Sequence, residues 1–304
     1  MAAAHARAFS RAQGVRINAV CSRSGTSAET LAKQFGITKS YTNLETMLDE
    51  ASLDAVVVAV SHDATVGVAE RVLLRGIPGL IEKPVGYSSE ETRRLAKLAM
   101  ENNCVNIVGL NRRFMSVIQN ALTAVLARGP LLGFLIEAHE PIDRRRAEKR
   151  LPTSVYDHWF VANTIHAVDL IRMIGGEVQE LQGFRTTRYE TRGDSFSFSL
   201  RMSKGPLVSF VSHWNSPGGF ILRLFGDGVS AVLSPLERGI LRFDTGREIP
   251  VRPAWCDMEL KPGLYLQAAC FLDAVCQGRR PAFPASDLDD NVRTMVLMER
   301  MLSA

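Results

Sequence analysis

Residues 54–84 read DAVVVAVSHDATVGVAERVLLRGIPGLIEKP, and this stretch carries the strongest structural signal in the first part of the chain. Two short runs, 55–60 and 77–81, are largely apolar and flank a helical segment that ends at Gly76. Short apolar runs separated by a helix are typical of neighbouring strands in a buried parallel sheet. Ligands bind at the carboxyl ends of such strands, so the polar residues that follow each run are candidates for a binding site.

Strand and helix patterns alternate from Val15 to Leu110, which predicts a doubly wound parallel sheet and the α/β fold class. We therefore expect a dinucleotide-binding, Rossmann-type domain over 1–110.

The pattern then changes, because longer strands with alternating apolar residues follow. The alternation at 196–202 and the hairpin signal Asp227-Gly228 predict a largely antiparallel, open sheet. The second domain, over 111–304, is expected to be α+β.

The composition is that of a globular protein, 46% hydrophobic and 22% charged with a formal net charge of +4. Basic residues are scattered apart from 144–146, so we expect no nucleic-acid partner. No apolar run reaches the roughly 18 to 20 residues of a membrane span, and no signal peptide is visible, so a cytoplasmic protein is expected.

The five cysteines form no C-x-x-C pair and are expected to be reduced. His139, His158 and His213 lack metal-ligand spacing, so no metal site is predicted.

A dinucleotide-binding domain opens with a strand, the motif G-x-G-x-x-G and a helix, but only the helix is found here, near Ala2. The missing strand would leave a gap at the centre of the sheet, and the missing turn would remove N–H groups that bind a pyrophosphate. Two explanations stay open: the sequence is a late start or truncated form of a longer protein, or the protein has lost cofactor binding. We favour the first, because the rest of the site is intact.

Five segments occur in an order that resembles the family of NAD(P)-dependent dehydrogenases named after glucose–fructose oxidoreductase and inositol 2-dehydrogenase. They are 5–9 (HARAF), 56–60, 82–84 (EKP), 109–114 (GLNRRF) and 165–169 (IHAVD). The resemblance covers the chain after the missing strand. It implies the two-domain fold and hydride transfer between nicotinamide and a carbon that carries a hydroxyl or carbonyl.

The resemblance also implies catalytic roles for Lys83 and His166. A lysine at that position lies beside the nicotinamide and the reacting oxygen, where its cation stabilises negative charge. The matching histidine accepts the proton when an alcohol is oxidised, which suits a neutral imidazole.

The chain departs from the family four residues before His166, where many members have an aspartate and this chain has Ala162. Asn163 beside it brings no charge, and Asp157 could supply a carboxylate from another direction. The reaction then depends on Lys83 and His166 alone or runs chiefly as ketone reduction. We expect Asn163, Asp157 and His166 to bind the substrate together with Arg113.

The loop Ser22-Arg23-Ser24 is expected to decide the cofactor. An acidic residue at the end of the second strand would bind the 2′-hydroxyl of NAD, whereas an arginine between two hydroxyls suits a 2′-phosphate. NADP is therefore favoured over NAD, and the alternative is an ordinary loop in which Ser24 caps a helix. The other expected cofactor-binding residues are Val60, Ser61, His62, Thr65, Glu82, Lys83 and Asn111.

The sequence thus predicts an NAD(P)-dependent dehydrogenase or reductase that acts on CH–OH groups of a sugar, a nucleotide sugar or a cyclic polyol. The alternatives are a non-catalytic regulator of the same fold that senses the dinucleotide, and an inactive form truncated at its N-terminus. By resemblance, the open sheet face of the second domain is expected to pair copies of the chain into a homodimer or homotetramer.

Overall fold

A computed structural model describes residues 1–148 and 151–304. Its helices are α1 (Ala2–Phe9), α2 (Gly25–Phe35), α3 (Leu44–Glu50), α4 (His62–Leu74), α5 (Ser89–Glu101), α6 (Ser116–Leu126), α7 (Ile142–Ala147), α8 (Thr153–Asp157), α9 (Ile165–Gly175), α10 (Trp255–Glu259), α11 (Leu264–Gln277) and α12 (Leu288–Ser303). A 3₁₀ turn at Asn111–Phe114 precedes α6, and a π-helical turn at Phe160–Thr164 precedes α9.

The strands are β1 (Ala19–Cys21), β2 (Lys39–Tyr41), β3 (Val56–Val58), β4 (Gly79–Ile81), β5 (Asn106–Val108), β6 (Gly133–His139), β7 (Val178–Thr186), β8 (Ser195–Met202), β9 (Leu207–His213), β10 (Gly219–Gly226), β11 (Val229–Leu233), β12 (Gly239–Phe243) and β13 (Glu248–Val251).

The chain forms two compact units, each built from separate segments. The first unit contains Met1–Gly86, Glu90–Asn111 and Cys256–Asp290. The second contains Tyr87–Ser89, Arg112–Trp255 and Asn291–Ala304. The division into domains 1–110 and 111–304 stays a prediction, and the units differ from it chiefly because the segment with α11 packs with the N-terminal residues.

The first unit is an α/β structure with parallel strands, as predicted. The strands β1 and β2 pair in parallel, and β3, β4 and β5 form a second parallel sheet. Within this fully described unit β1 and β3 do not pair, so its parallel strands form two separate sheets. Helix α2 begins after Ser24, whose hydroxyl accepts the N–H of Ser27, and ends at Gly36 in a left-handed conformation with φ 67°.

The edge of β5 is covered by the C-terminal segment of the first unit. The N–H of Val108 donates to the carbonyl of Ser286 at 2.7 Å, and Gln267 Nε2 donates to the carbonyl of Val108 at 3.0 Å. On the other side of α11, Phe271 meets Phe9 of α1 edge-on, with ring centroids 6.5 Å apart. The segment 256–290 therefore completes the core of the first unit.

The second unit contains the predicted open, largely antiparallel sheet. Its eight strands lie in the order β13-β12-β11-β10-β6-β9-β8-β7, and only β6 and β9 pair in parallel. Alternate residues of β8 are buried and exposed, and its buried Phe196 packs against Phe160 of the π-helical turn, with ring centroids 4.6 Å apart. The predicted Asp227-Gly228 hairpin joins β10 to β11, since Gly226 pairs with Val229.

Among the described residues, none of the helices combines the length and the apolar character needed to cross a membrane.

Candidate functional site

A buried carboxylate directly precedes Lys83 in the first unit. Glu82 follows β4 and is 6% exposed, and His5 of α1 donates from Nε2 to its Oε1 at 2.6 Å. Burial alone would raise the pKa of Glu82, but the hydrogen bond from His5, together with the electrostatic influence of His5, Lys83 and Lys261, lowers it. Glu82 is therefore an ionised, immobilised group in the interior of the first unit.

His62 and Lys83 follow adjacent strands, β3 and β4, and influence each other. Burial lowers the pKa of His62 to about 4, and the charge of Lys83 contributes in the same direction. The ring is consequently neutral near pH 7. In the described residues its Nδ1 is enclosed without a hydrogen-bond partner. The polar ends of the two strands thus come together, as expected for parallel neighbours.

The other residues expected to bind the cofactor divide into exposed and engaged groups. Val60 and Ser61 are exposed at the end of β3. Thr65 is 1% exposed, and its hydroxyl donates to the carbonyl of Ser61 at 3.2 Å. Asn111 is buried, and its Nδ2 donates to the carbonyl of Pro262 at 2.8 Å. The polar groups of Thr65 and Asn111 therefore already hold the backbone of the first unit.

The loop after β1 carries an exposed basic side chain next to the start of a helix. Arg23 is exposed and makes no hydrogen bond or ion pair with any residue that the structure describes. Ser22 accepts the N–H of Ser24 at 3.4 Å, and Ser24 caps α2, as the alternative interpretation of this loop expected. Capping does not exclude phosphate binding, because Arg23 and the start of a helix lie together here.

In the second unit, His166 lies on α9 and is 7% exposed. Asn163 lies in the preceding π-helical turn rather than in a regular helix, and such turns are frequent at functional sites. Its Nδ2 donates to Oε1 of Glu140 at 2.5 Å. Glu140, which the sequence interpretation did not select, is a buried carboxylate that follows β6.

Asp157, the proposed replacement for the family's aspartate, is exposed at the end of α8. Among the described residues it makes no hydrogen bond or ion pair, with His166 or with any other residue. The structure therefore brings the carboxylate of Glu140, and not that of Asp157, to the Asn163 segment.

Arg113 was expected to bind substrate, but its guanidinium is held by a buried ion pair. It is 4% exposed and donates to both oxygens of Asp169, from Nε at 2.7 Å and from Nη2 at 2.6 Å. Thr294 of α12 donates to the same carboxylate at 3.1 Å and accepts from Arg172 at 2.8 Å. This network joins α9 to α12, which is a structural use of Arg113.

Arg112, which the sequence interpretation passed over, lies in different surroundings. Its Cζ is 3.5 Å from the ring centroid of Phe220 on β10, in a cation–π arrangement. Burial lowers its pKa to about 10, although Glu140 and Glu237 act against this shift. The sequence expectation selected Arg113 of the GLNRRF segment, whereas the fold pairs Arg113 with Asp169 and leaves Arg112 against Phe220.

In the described part of the chain, no group of three or more His, Cys, Asp or Glu side chains could hold a metal ion. The expectation of no metal site stays a prediction.

Residues 1–110 match a family model described as "Oxidoreductase family, NAD-binding Rossmann fold", GFO_IDH_MocA. The chain is 24% identical to 4-carboxy-2-hydroxymuconate-6-semialdehyde dehydrogenase from Sphingobium sp., over 98% of this chain and 94% of that protein. It is 29% identical to inositol 2-dehydrogenase from Rhizobium meliloti, over 36% of this chain and 33% of that protein.

A crystal structure of an oxidoreductase from Agrobacterium radiobacter, in complex with NAD⁺, L-tartaric acid and magnesium, has the same fold. The TM-score is 0.81 at 18% identity, over 98% of this chain and 91% of that chain. This similarity confirms the predicted fold class.

Proposed function

The chain belongs, through residues 1–110, to the Gfo/Idh/MocA family of NAD-binding oxidoreductases, and we propose that it transfers hydride between a nicotinamide dinucleotide and a hydroxyl or carbonyl carbon of a small polyhydroxylated substrate. The prediction of an oxidoreductase with a nicotinamide cofactor is confirmed at this level. The choice of substrate and the roles of single residues are proposals.

The observation that carries the proposal is the arrangement around Lys83. Glu82, which is ionised and hydrogen-bonded to His5, directly precedes Lys83. The neutral ring of His62 lies near enough for the charge of Lys83 to lower its pKa. A cation with such fixed neighbours suits a site in which charge develops on a substrate oxygen, because preorganised groups need not rearrange during the reaction.

When bound, the nicotinamide accepts or supplies the hydride. We assign to Lys83 the binding of the reacting oxygen, on which its charge stabilises negative charge. We assign to His166 the acceptance of the hydroxyl proton in the oxidation direction, and its return in reduction. Asn163, hydrogen-bonded to Glu140, is assigned to the orientation of substrate hydroxyls.

For the cofactor, NADP is proposed over NAD. The exposed Arg23, without a partner among the described residues, supports this choice, since a guanidinium between two serines suits a 2′-phosphate. Val60, Ser61, Thr65 and Asn111 are kept in the proposal as neighbours of the cofactor.

The substrate class is proposed from the family and its relatives. A sugar, a nucleotide sugar or a cyclic polyol is the prediction of the sequence, and one relative is named as an inositol 2-dehydrogenase. Another relative, at 24% identity, is named for a substrate with a carboxyl group. Location in the cytoplasm and a homodimer or homotetramer also stay proposals.

The test compares the Lys83→Ala variant with wild type in cofactor binding and in turnover of myo-inositol, D-glucose and L-tartrate. NADPH and NADH are titrated by fluorescence, and we expect tighter binding of NADPH. Turnover of at least one substrate should fall at least about 100-fold in Lys83→Ala while cofactor binding persists. Lys261→Ala is the matched control, because Lys261 also acts on the charge of Glu82 but has no assigned role in the reaction.

Unchanged turnover in Lys83→Ala would contradict the proposal. Cofactor binding without turnover of any of the three substrates would favour the dinucleotide-sensing regulator instead. If neither dinucleotide binds, the titration is repeated with the chain extended upstream, and failure there would contradict the oxidoreductase assignment.

A further inference from the structure

Arg112 is a charged side chain whose surroundings hold it in place without neutralising it. Its guanidinium stacks on Phe220, and Nη1 is enclosed without a hydrogen-bond partner among the described residues. The structure gives it no ion pair with any residue in 1–148 or 151–304. A buried donor that lacks an acceptor costs about 1–3 kcal/mol, more when it is charged, so such a group calls for an explanation.

Two carboxylates lie near enough to influence Arg112 but do not pair with it. Glu140 and Glu237 both act to raise the pKa of Arg112, although burial has the larger effect and lowers it. Glu140 is engaged elsewhere, since it accepts from Asn163 and lies 4.0 Å from Nε of Arg145. The guanidinium is therefore left for an acceptor that the described residues do not provide.

Further donors without acceptors are found near this end of the sheet. Trp214 follows β9, and its carbonyl accepts from Ile142, two residues after Glu140. The indole N–H groups of Trp214 and Trp159 are buried and lack partners in the described part of the chain. A ligand that carries several oxygen acceptors would satisfy such groups, whereas an apolar ligand would not.

We propose that Arg112 binds a carboxylate of the substrate, so that the enzyme acts on a hydroxy or oxo acid such as a sugar acid. This rests on the proposed oxidoreductase function and adds the substrate class. A guanidinium pairs with a planar carboxylate through two parallel N–H···O bonds, and stacking on Phe220 orients it for that purpose. Glu140 and Glu237 favour a singly charged carboxylate over a doubly charged phosphate, because they lower the positive potential at the guanidinium.

The experiment measures binding by calorimetry in the presence of saturating NADPH. The probes are two matched pairs, D-galacturonate with D-galactose and D-gluconate with D-glucitol, and D-galactose 1-phosphate. Wild type should bind at least one acid about 10- to 100-fold more tightly than its neutral partner, and Arg112→Met should lose this preference. Arg112→Lys should show an intermediate preference, because an ammonium keeps the charge but not the planar fork.

Arg145→Met is the matched control, since Arg145 is an exposed arginine beside the same Glu140 and should leave the preference for the acid intact. Circular dichroism verifies the fold of each variant. Should Arg112→Met fail to fold, the preference for acid over neutral probe is compared between wild type and Arg112→Lys. A smaller preference in Arg112→Lys supports the assignment, and an equal preference contradicts it.

The carboxylate assignment would be overturned by equal binding of acids and neutral probes, by a preference that survives in Arg112→Met, or by tighter binding of the phosphate ester than of galacturonate. Lys83-dependent turnover of neutral polyols without acid preference would overturn this inference and leave the proposed function intact. Arg112-dependent binding of an acid, without turnover in any assay, would contradict the proposed function and support the inference.

Discussion

Two polar regions of the second unit use neighbouring arginines in opposite ways. Around Arg113 the network is closed, because Asp169 accepts from Arg113 and Thr294, and Thr294 accepts from Arg172. Around Arg112 it is open, because Phe220 supplies a flat surface and no described residue supplies an acceptor. A closed network holds helices together, whereas an open one lowers stability and is kept where a ligand completes it.

The largest effect is expected from Arg113→Met. Among the described residues, removal of the guanidinium leaves only Thr294 as a hydrogen-bond donor to the buried carboxylate of Asp169. The loss should lower the free energy of unfolding by about 3–5 kcal/mol. Urea denaturation measures this value. Arg145→Met serves as the exposed control and should change it by less than about 0.5 kcal/mol. A loss below about 1 kcal/mol in Arg113→Met would mean that the network does not hold the fold.

A smaller effect of opposite sign is expected from Arg112→Met. The lowered pKa of Arg112, about 10, means that below this pH the folded state carries a charge that burial disfavours. Replacement by a side chain of similar length should therefore raise the free energy of unfolding of the ligand-free protein by about 1–2 kcal/mol. The same urea titration tests it. A substantial loss of stability would show that Arg112 is structural and would remove the contrast with Arg113.

The smallest effect is expected at His62 in the first unit. Like Nη1 of Arg112, its Nδ1 is enclosed and has no hydrogen-bond partner among the described residues. Its pKa is about 4 in the folded protein and 6.5 for an ordinary histidine, so between these values the unfolded chain binds the additional proton. Stability should accordingly fall as the pH is lowered from 6.5 to 4, by about 1 kcal/mol because the ring is only partly buried. The free energy of unfolding, measured by urea denaturation at several pH values, should depend less on pH in His62→Gln than in wild type. An identical pH dependence in the variant would refute this assignment.

Much of the fold was predictable because its signals are local. The apolar runs before Ser61 and Glu82, the alternation in β8 and the Asp227-Gly228 hairpin each depend on a few consecutive residues. Gly76 was predicted to end the helical segment between the two runs; α4 ends at Leu74, and Gly76 follows with a φ of 69°.

The site was less predictable because its contacts join distant residues. Arg113 and Asp169 are 56 positions apart, and Asn163 and Glu140 are 23 apart, so periodicity carries no information about either pair. Adjacent positions in one 3₁₀ turn place Arg113 against the carboxylate of Asp169 and Arg112 against the ring of Phe220. Likewise, sequence alone could not show that the amide of Asn111 binds the carbonyl of Pro262.

The discontinuous first unit has a consequence for the order in which the protein forms. The β5 edge finds its partners at Gln267 and Ser286, about 160 to 180 residues further along the chain. During synthesis the N-terminal strands therefore leave the ribosome well before the segment that covers them. The first unit is therefore completed only after most of the second has been synthesised. Contacts between residues so far apart in the sequence also form slowly.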